Sequence, residues 1–383
     1  MLLYRTTTNI PMRTLKQKIP LRSSLKSSRT TSGFPEFAKL HRPIVEQHII
    51  DAFLMCMSNP KTGDGYHRYQ KLQAFSLKGK LLRGVFVILA ESLYKNKPSQ
   101  QAYQLASAIE IAHSGLLVHD DIIDNDYLRR GNKTIFAQYI EDGQNHKSSR
   151  AEDFGKSMGI IAGDIGIFLA SSIISNLALN AAKKSNVVNE FNVHMQGVCY
   201  GEMIDIEFGM VPTEPRESKI IEMFKLKTSG YTFELPLVCG ALLADAPQQD
   251  INCLRNMAGN LGIAFQIKDD ELGLFGDSSK TGKPVGADII QNKKTLFRAR
   301  LFQKASKGDM KKLQRYFGNV SLSPTQVAEI CQMIRAYGIL GELQIMVEKL
   351  SKDAKRAISM MSISHEGKDM LYDLVDYNAA RAV

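Results

Sequence analysis

The chain lacks the usual means of cross-linking itself or caging a metal through sulfur. Its five cysteines, Cys56, Cys199, Cys239, Cys253 and Cys331, are scattered, odd in number and never spaced as CxxC. That argues against a disulfide framework and against a zinc site, and it suits a reducing compartment. Gly-rich phosphate loops of the P-loop or dinucleotide-binding kind are missing, and strand-like alternation is scarce. Residues 1–35 contain no acid at all, but carry Arg5, Arg13, Lys16, Lys18, Arg22, Lys26 and Arg29 among many Ser and Thr. Those residues supply most of the net charge of +10. A surplus confined to a tail is poor ground for nucleic-acid binding by the folded body. No uninterrupted membrane-length run is present either: the most apolar stretch, 159–179, is broken by Asp164 and reads as a buried core helix.

What is there is ordinary for a globular protein, with 44% hydrophobic and 23% charged residues over 383 positions. Apolar residues recur at helical spacing in 99–119, 157–179, 187–208 and 251–267, and turn formers gather between such stretches. The pattern predicts an all-α fold: a single helical domain, residues 43–383, around a central cavity. Residues 1–42 read as a basic, disordered tail. Their composition also suits an organelle transit peptide, so the expected location is cytoplasmic, or mitochondrial or plastidic if the tail targets the chain.

Two acidic clusters stand out. Residues 119–131 read HDDIIDNDYLRRG; on a helix Asp120 and Asp124 project from one face, with Asp121 beside them. Acids this close repel unless cations intervene, and hard oxygen ligands suit Mg²⁺, which takes its remaining ligands from water and substrate phosphate. An isolated DDxxD is as often a solvated turn as a site, but here an apolar helix precedes it. Arg129, Arg130 and Gly131 follow, and the two guanidinium groups are planar donors for phosphate oxygens. The second cluster, in FQIKDDELGLFGDSSKTGKPVGAD (265–288), carries Asp269 and Asp270 at the end of another apolar stretch, then Lys280 and Lys283. Two helices facing one another across a cavity would let metals on both clamp a diphosphate. Basic residues lie between and around the clusters: Lys80 and Arg83 in GKLLRG, Lys227, Thr228 and Tyr231 in FKLKTSGY, and Lys293 and Lys294 in NKKT.

With these motifs in this order, from about residue 45 to the end, the chain resembles the all-trans polyprenyl diphosphate synthases, among them farnesyl and geranylgeranyl diphosphate synthases. DDIID with its RRG looks like the first aspartate-rich motif of that family, FQIKDD like the second, GKLLRG like GKxxR, and GEMID (201–205) like GQxxD. The resemblance implies the all-α isoprenoid synthase fold, usually a homodimer, with no nucleic-acid partner and no transmembrane segment. It implies a prenyltransferase that condenses isopentenyl diphosphate with allylic diphosphates, using about three Mg²⁺ ions. Asp120, Asp121, Asp124, Asp269 and Asp270 would be the metal carboxylates. Arg129, Lys227 and Lys283 would serve the allylic diphosphate, Lys80, Arg83, His113 and Arg130 isopentenyl diphosphate, and Lys293 would be a further substrate-binding residue. Thr228, Tyr231 and Gln266 would flank the allylic cation. No protein nucleophile is needed, which agrees with the absence of a Ser/His/Asp constellation.

Two positions depart from the family pattern: Gly273 stands where many relatives have a third Asp, and Glu202 replaces the Gln of GQxxD. A class I terpene cyclase would not need Lys80, Arg83 and Arg130, and a non-catalytic synthase subunit would lose its aspartates. Short-chain relatives often place an aromatic five residues before the first Asp. Here that position is Gly115, next to Leu116 and one turn above Ala112. One helical turn rises about 5.4 Å, close to one isoprene unit, so this wall reads as open beyond a farnesyl chain. The expected product is therefore geranylgeranyl diphosphate, with longer polyprenyl diphosphates of quinone side chains as the alternative. Phe168 is the expected residue closing the tunnel.

Overall fold

Capping residues start several of the helices that the periodicity predicts. Ser99 accepts the Ala102 N–H at the start of one, Asn180 accepts that of Lys183, and Ser323 closes a capping box with Gln326. The computed structural model describes residues 33–57, 66–276 and 285–380, which are helical almost throughout. The basic tail and its targeting expectation lie outside the described residues. The helical body begins at Phe34 rather than at 43: α1 runs Phe34–Met57 with Pro43 inside it. Phe34 is buried against Phe86 and Tyr377, which anchors that first turn to the body.

In order there follow α2 (Tyr66–Ser76), α3 (Leu82–Ser92), α4 (Gln100–Ile123), α5 (Ile135–Asn145), α6 (Ala151–Ser175), α7 (Ala181–Met210) and α8 (Glu217–Phe224). A π-helix spans Lys225–Glu234 and leads into α9 (Leu235–Leu243) and α10 (Gln248–Phe275). Then come α11 (Ala287–Ile290), α12 (Leu296–Lys304), α13 (Lys307–Tyr316), α14 (Pro324–Ala336), α15 (Ile339–Ser359) and α16 (His365–Ala379). Among the described residues the strands are two short ones, Leu128–Arg129 and Asn132–Lys133, paired antiparallel just after the first acidic cluster.

Three neighbouring hydrophobic clusters hold the bundle. One joins α1, α2, α4, α6, α7 and α9; a second joins α3, α9, α10, α15 and α16; a third joins α8, α10 and α12 to α15. The buried Leu, Ile, Val and Phe side chains of such clusters each contribute roughly 1.5–3 kcal/mol of transfer free energy. They fix α4, α7, α10 and the π-helix around a central space.

The contact of α4 with α6 is made through glycine. A Cβ on Gly115 would lie 2.6 Å from the Gly163 carbonyl oxygen, and one on Gly163 would lie 2.2 Å from His119 Nε2. The backbones approach closely on this face. The opposite face of α6 corrects the expectation of a buried core helix. Phe154, Ile161 and Phe168 are exposed there, and the helix is long and apolar enough to cross a membrane by length and composition. Local hydropathy marked the helix but carried no information on which of its sides is covered.

Candidate active site

The central space is a cavity of about 1140 Å³ bounded by α3, α4, α7, α10, the π-helix and the segment after α11. The two acidic clusters end α4 and lie late in α10, and the cavity brings Asp120 and Asp124 together with Asp269 and Asp270. The π-helix supplies the third wall. Its wider turn aims Lys227, Thr228 and Tyr231 into one space, and insertions of this kind gather at functional sites. A Cβ on Gly201 would sit 2.6 Å from the Lys227 backbone nitrogen, so that glycine lets α7 lie directly against the π-helix.

Three cations of the cavity, Lys227, Lys293 and Arg129, are held by acids. Lys227 Nζ donates to Asp205 Oδ2 at 2.6 Å and to Glu202 Oε2 at 2.7 Å. Burial works against its charge, but Asp205 and the acids around it hold the ammonium protonated, above the usual lysine range. Lys293 donates to Asp124 Oδ2 at 3.0 Å and is held charged in the same way, by Asp124 first. Arg129 reaches Asp120 through Nη2 at 2.8 Å and Asp121 through Nε at 2.6 Å. Asp121 is wholly buried and outside the cavity lining; it fixes Arg129 through Oδ1, while its Oδ2 is buried without a hydrogen-bond partner. Burial, only partly offset by Arg129, pushes the Asp121 carboxyl up to about 7.

On the opposite wall Thr228 donates to Gln266 Oε1 at 2.7 Å, and Gln266 Nε2 donates to Asp270 Oδ1 at 2.9 Å. Asp270 Oδ2 is buried with no hydrogen-bond partner. Burial raises the Asp270 carboxyl well above its ordinary range, and Asp288, Asp269 and Asp205 raise it further. A buried carboxylate oxygen without a donor, crowded by other acids, is the surface a hard divalent cation fits. Among the described residues no three His, Cys, Asp or Glu side chains converge as a ready-made metal cage.

The remaining basic residues form a second group. Arg83 donates to Thr232 Oγ1 at 2.7 Å and to Tyr231 Oη at 3.0 Å, stacks over the Tyr231 ring, and leaves its Nε buried without a partner. His113 Nδ1 lies 3.3 Å from Tyr231 Oη. Burial first, and then Arg83, Arg130 and Arg129, drive its pKa well down, so it is neutral at neutral pH. Arg130 lines the cavity from a left-handed backbone (φ 52°) and donates to the Lys78 carbonyl at 3.0 Å. Lys80 lines it too. Lys294 also borders the cavity, but its ammonium is buried against Glu214 at 2.8 Å. Lys283 lies outside the described residues.

The residues assigned to chain length need correction. Leu116 lines the cavity, with Val198, Cys199, Met203 and Ile206 across from it on α7. Gly115 faces the α6 backbone instead, and Ala112 is buried in the core away from the cavity lining. Phe168 is 72% exposed on the far side of α6 and closes nothing within this chain. Three further acids line the cavity that the sequence reading gave no site role: Glu202, Asp205 and Asp288. Their signal was present in GEMID and GAD, where an acid follows a glycine inside a recognised motif.

The geometry agrees with what this chain is similar to. Residues 69–334 match the family model described as polyprenyl synthetase. The chain is 29% identical to a geranylgeranyl diphosphate synthase of Sulfolobus acidocaldarius, over 78% of this chain and 86% of that protein. It is 33% identical to a farnesyl diphosphate synthase of Bacillus subtilis, over 70% and 88% respectively. Among solved structures, a geranylgeranyl pyrophosphate synthase from Corynebacterium glutamicum, in complex with isoprenyl diphosphate and magnesium, superposes with a TM-score of 0.82 at 26% identity. The match covers 91% of this chain and all of that one.

Proposed function

The chain belongs to the polyprenyl synthetase family and is a trans-prenyltransferase, and we propose that it condenses isopentenyl diphosphate with allylic diphosphates to give chiefly geranylgeranyl diphosphate. The observation that carries this reading is the division of one cavity into two anion-binding halves. One half has carboxylates backed by Lys227, Lys293 and Arg129; the other has Lys80, Arg83, His113 and Arg130. A reaction joining two diphosphates through a carbon–carbon bond needs such a pair.

Asp120, Asp124, Asp269 and Asp270 would hold magnesium. When bound, the metal neutralises charge on the departing diphosphate. Arg129, steadied by Asp121, and Lys227 and Lys293 are aimed at the same oxygens. As the allylic carbon–oxygen bond breaks, these cations stabilise the leaving group without reorganising. Thr228, Gln266 and Tyr231 border the allylic cation with neutral oxygens. The apolar walls beyond them exclude water that would quench it. Arg83, Arg130, Lys80 and neutral His113 hold isopentenyl diphosphate so that its double bond meets the cation. The proton lost afterwards passes to the released diphosphate.

The product assignment rests on the apolar end of the cavity. On the α4 and α7 walls its lining has Leu116, Leu117, Val198, Cys199, Met203 and Ile206, and no Phe or Tyr. With no aromatic stop on either wall, a chain longer than farnesyl fits. We further infer that the protein acts as a homodimer, with the apolar outer face of α6 covered by a second copy. Incubation with isopentenyl diphosphate and each allylic primer, followed by chromatography, tests the product. Geranylgeranyl diphosphate as the main species is expected; farnesyl diphosphate as the end product would overturn the assignment.

A further inference from the structure

Glu110 is a fully buried acid on α4 that the chemistry above does not use. It lies one turn before His113 but points away from the cavity, toward the start of α3. That start is unusual. The residue in the N-cap position is Leu81, which is buried, left-handed (φ 52°, ψ 36°) and without any side-chain oxygen to accept the first N–H groups of the helix. Helices normally meet this need with Ser, Thr, Asp or Asn at that position. Here Glu110 Oε1 accepts the Gly84 N–H at 2.7 Å. Burial raises the Glu110 carboxyl, and the Arg83 guanidinium, then the Gly84 and Arg83 N–H groups, only partly offset it. The close approach is possible because residue 84 is glycine: a Cβ there would lie 3.2 Å from Glu110 Cγ and 3.3 Å from the Ala106 carbonyl.

We propose that Glu110 is a positioning residue for the isopentenyl diphosphate half of the site, acting as a cap supplied in trans by α4 to the first turn of α3. The inference rests on the proposed function, because it assumes that Arg83 serves isopentenyl diphosphate. The argument is geometric. Arg83 is the second residue of α3, so the direction of its side chain follows the orientation of that first turn. The turn is entered through a left-handed leucine, a conformation that persists only where surrounding contacts over-determine it. Among the described contacts, the Glu110 oxygen is the side-chain acceptor that ties the turn to α4. With the turn fixed, Arg83 reaches Tyr231 and Thr232 across the cavity. What the device requires is an acceptor oxygen at this distance from the helix start, not a charge.

Two substitutions in the full-length enzyme separate acceptor from charge. Glu110→Gln keeps the acceptor and removes the charge; Glu110→Asp keeps the charge and withdraws the acceptor by one methylene. KM for each substrate and kcat are measured at saturating magnesium, with melting curves for both variants. Glu110→Asp is expected to raise KM for isopentenyl diphosphate about tenfold, leaving that for the allylic primer within about twofold. Glu110→Gln is expected to leave both KM values within about twofold of the parent. The proposal is overturned if Glu110→Gln raises KM for isopentenyl diphosphate, if folded Glu110→Asp leaves it unchanged, or if Glu110→Asp raises both KM values equally. Should Glu110→Asp fail to fold, Glu110→Met, of similar size and without an acceptor oxygen, takes its place, with the same rise in KM for isopentenyl diphosphate expected and the same results overturning the proposal. Arg83→Ala run in parallel keeps the two readings apart. If it spares KM for isopentenyl diphosphate, the site assignment fails; if it raises that KM and Glu110→Asp does not, the cap fails.

Discussion

At Lys227 one ammonium serves two carboxylates, and the second of them, Glu202, takes the place of an amide in the family pattern. Its carboxyl is raised by burial and by Asp120 and Asp205, so the site works to accommodate this extra negative charge. An entering diphosphate competes with Glu202 for the same Lys227 protons. Glu202→Gln is therefore expected to lower KM for the allylic diphosphate severalfold, with KM for isopentenyl diphosphate unchanged; steady-state kinetics on each substrate read the difference. Asp269→Ala, by contrast, removes a carboxylate from the wall that faces the leaving group. It should cut turnover about a hundredfold or more, since loss of one such stabilising contact has effects of that size. Activity should vanish in excess EDTA and return with Mg²⁺; full turnover without metal would refute the role given to the carboxylates. The residues in these arguments differ in how readable they were. Asp120, Asp124, Asp269, Lys227 and Arg83 announce themselves through motif spacing, because their chemistry demands fixed offsets on a helix. Glu110 was visible only as an acid within an apolar run, and nothing local tells whether such an acid faces a ligand or a helix end.

Between elements, the α4–α6 contact decides what a substitution at Gly115 does. The sequence suggested that an aromatic there would shorten the product. The structure turns that position toward the Gly163 carbonyl at 2.6 Å from a would-be Cβ. Gly115→Phe is accordingly expected to overpack the interface and destabilise the fold by about 1–3 kcal/mol or more, seen as a lowered Tm. A folded variant of parental Tm that makes only farnesyl diphosphate would restore the original reading. Helix existence was legible from apolar periodicity. Helix phase against a neighbour was not, because it is set by the other partner's surface. The π-helix was likewise invisible, although its position is held by a network that makes a test possible. His194 on α7 lies between Glu190 and Glu234, and Arg255 of α10 bonds both acids. Burial opposes protonation of His194, but bonds to Glu234 and the Glu190 carbonyl outweigh it and raise the pKa above 6.5. A histidine raised on folding adds stability that is fully present below pH 6.5 and is lost as pH rises through the folded value. The Tm difference between the parent and His194→Gln should then be larger at pH 6 than at pH 8. An equal difference at both would remove His194 from the account.

For the molecule as a whole, the outer face of α6 is the feature a single chain leaves unexplained. Phe154, Ile161 and Phe168 are spaced seven residues apart and are 40%, 55% and 72% exposed, with Ile160 at 47% beside them. Residues seven apart on a helix share one stripe, so these rings and branches form a continuous apolar ridge rather than scattered surface residues. On α7, which also meets α6, Val193 and Tyr200 repeat the same spacing, and Met203 and Ile206 extend the apolar surface toward the cavity. A stripe on each of two adjoining helices is what a two-fold partner needs, since an isologous contact presents the same helices from both copies. Met203 and Ile206 line the cavity while more than 40% exposed, so a second copy seated on that part of α7 would also cover the cavity wall there. In the proposed dimer Phe168 would have a role different from the tunnel stop expected of it. Phe168→Glu places a charge in the middle of the ridge, and burial of that charge without a partner opposes association. Sedimentation equilibrium is expected to give a dimer for the parent and a shift toward monomer for the variant. Phe168→Ala should leave the product spectrum unchanged, because the side chain does not reach the cavity. A parent that sediments as a monomer at micromolar concentration, or a Phe168→Glu dimer as tight as the parent's, would remove the ridge as the contact between copies.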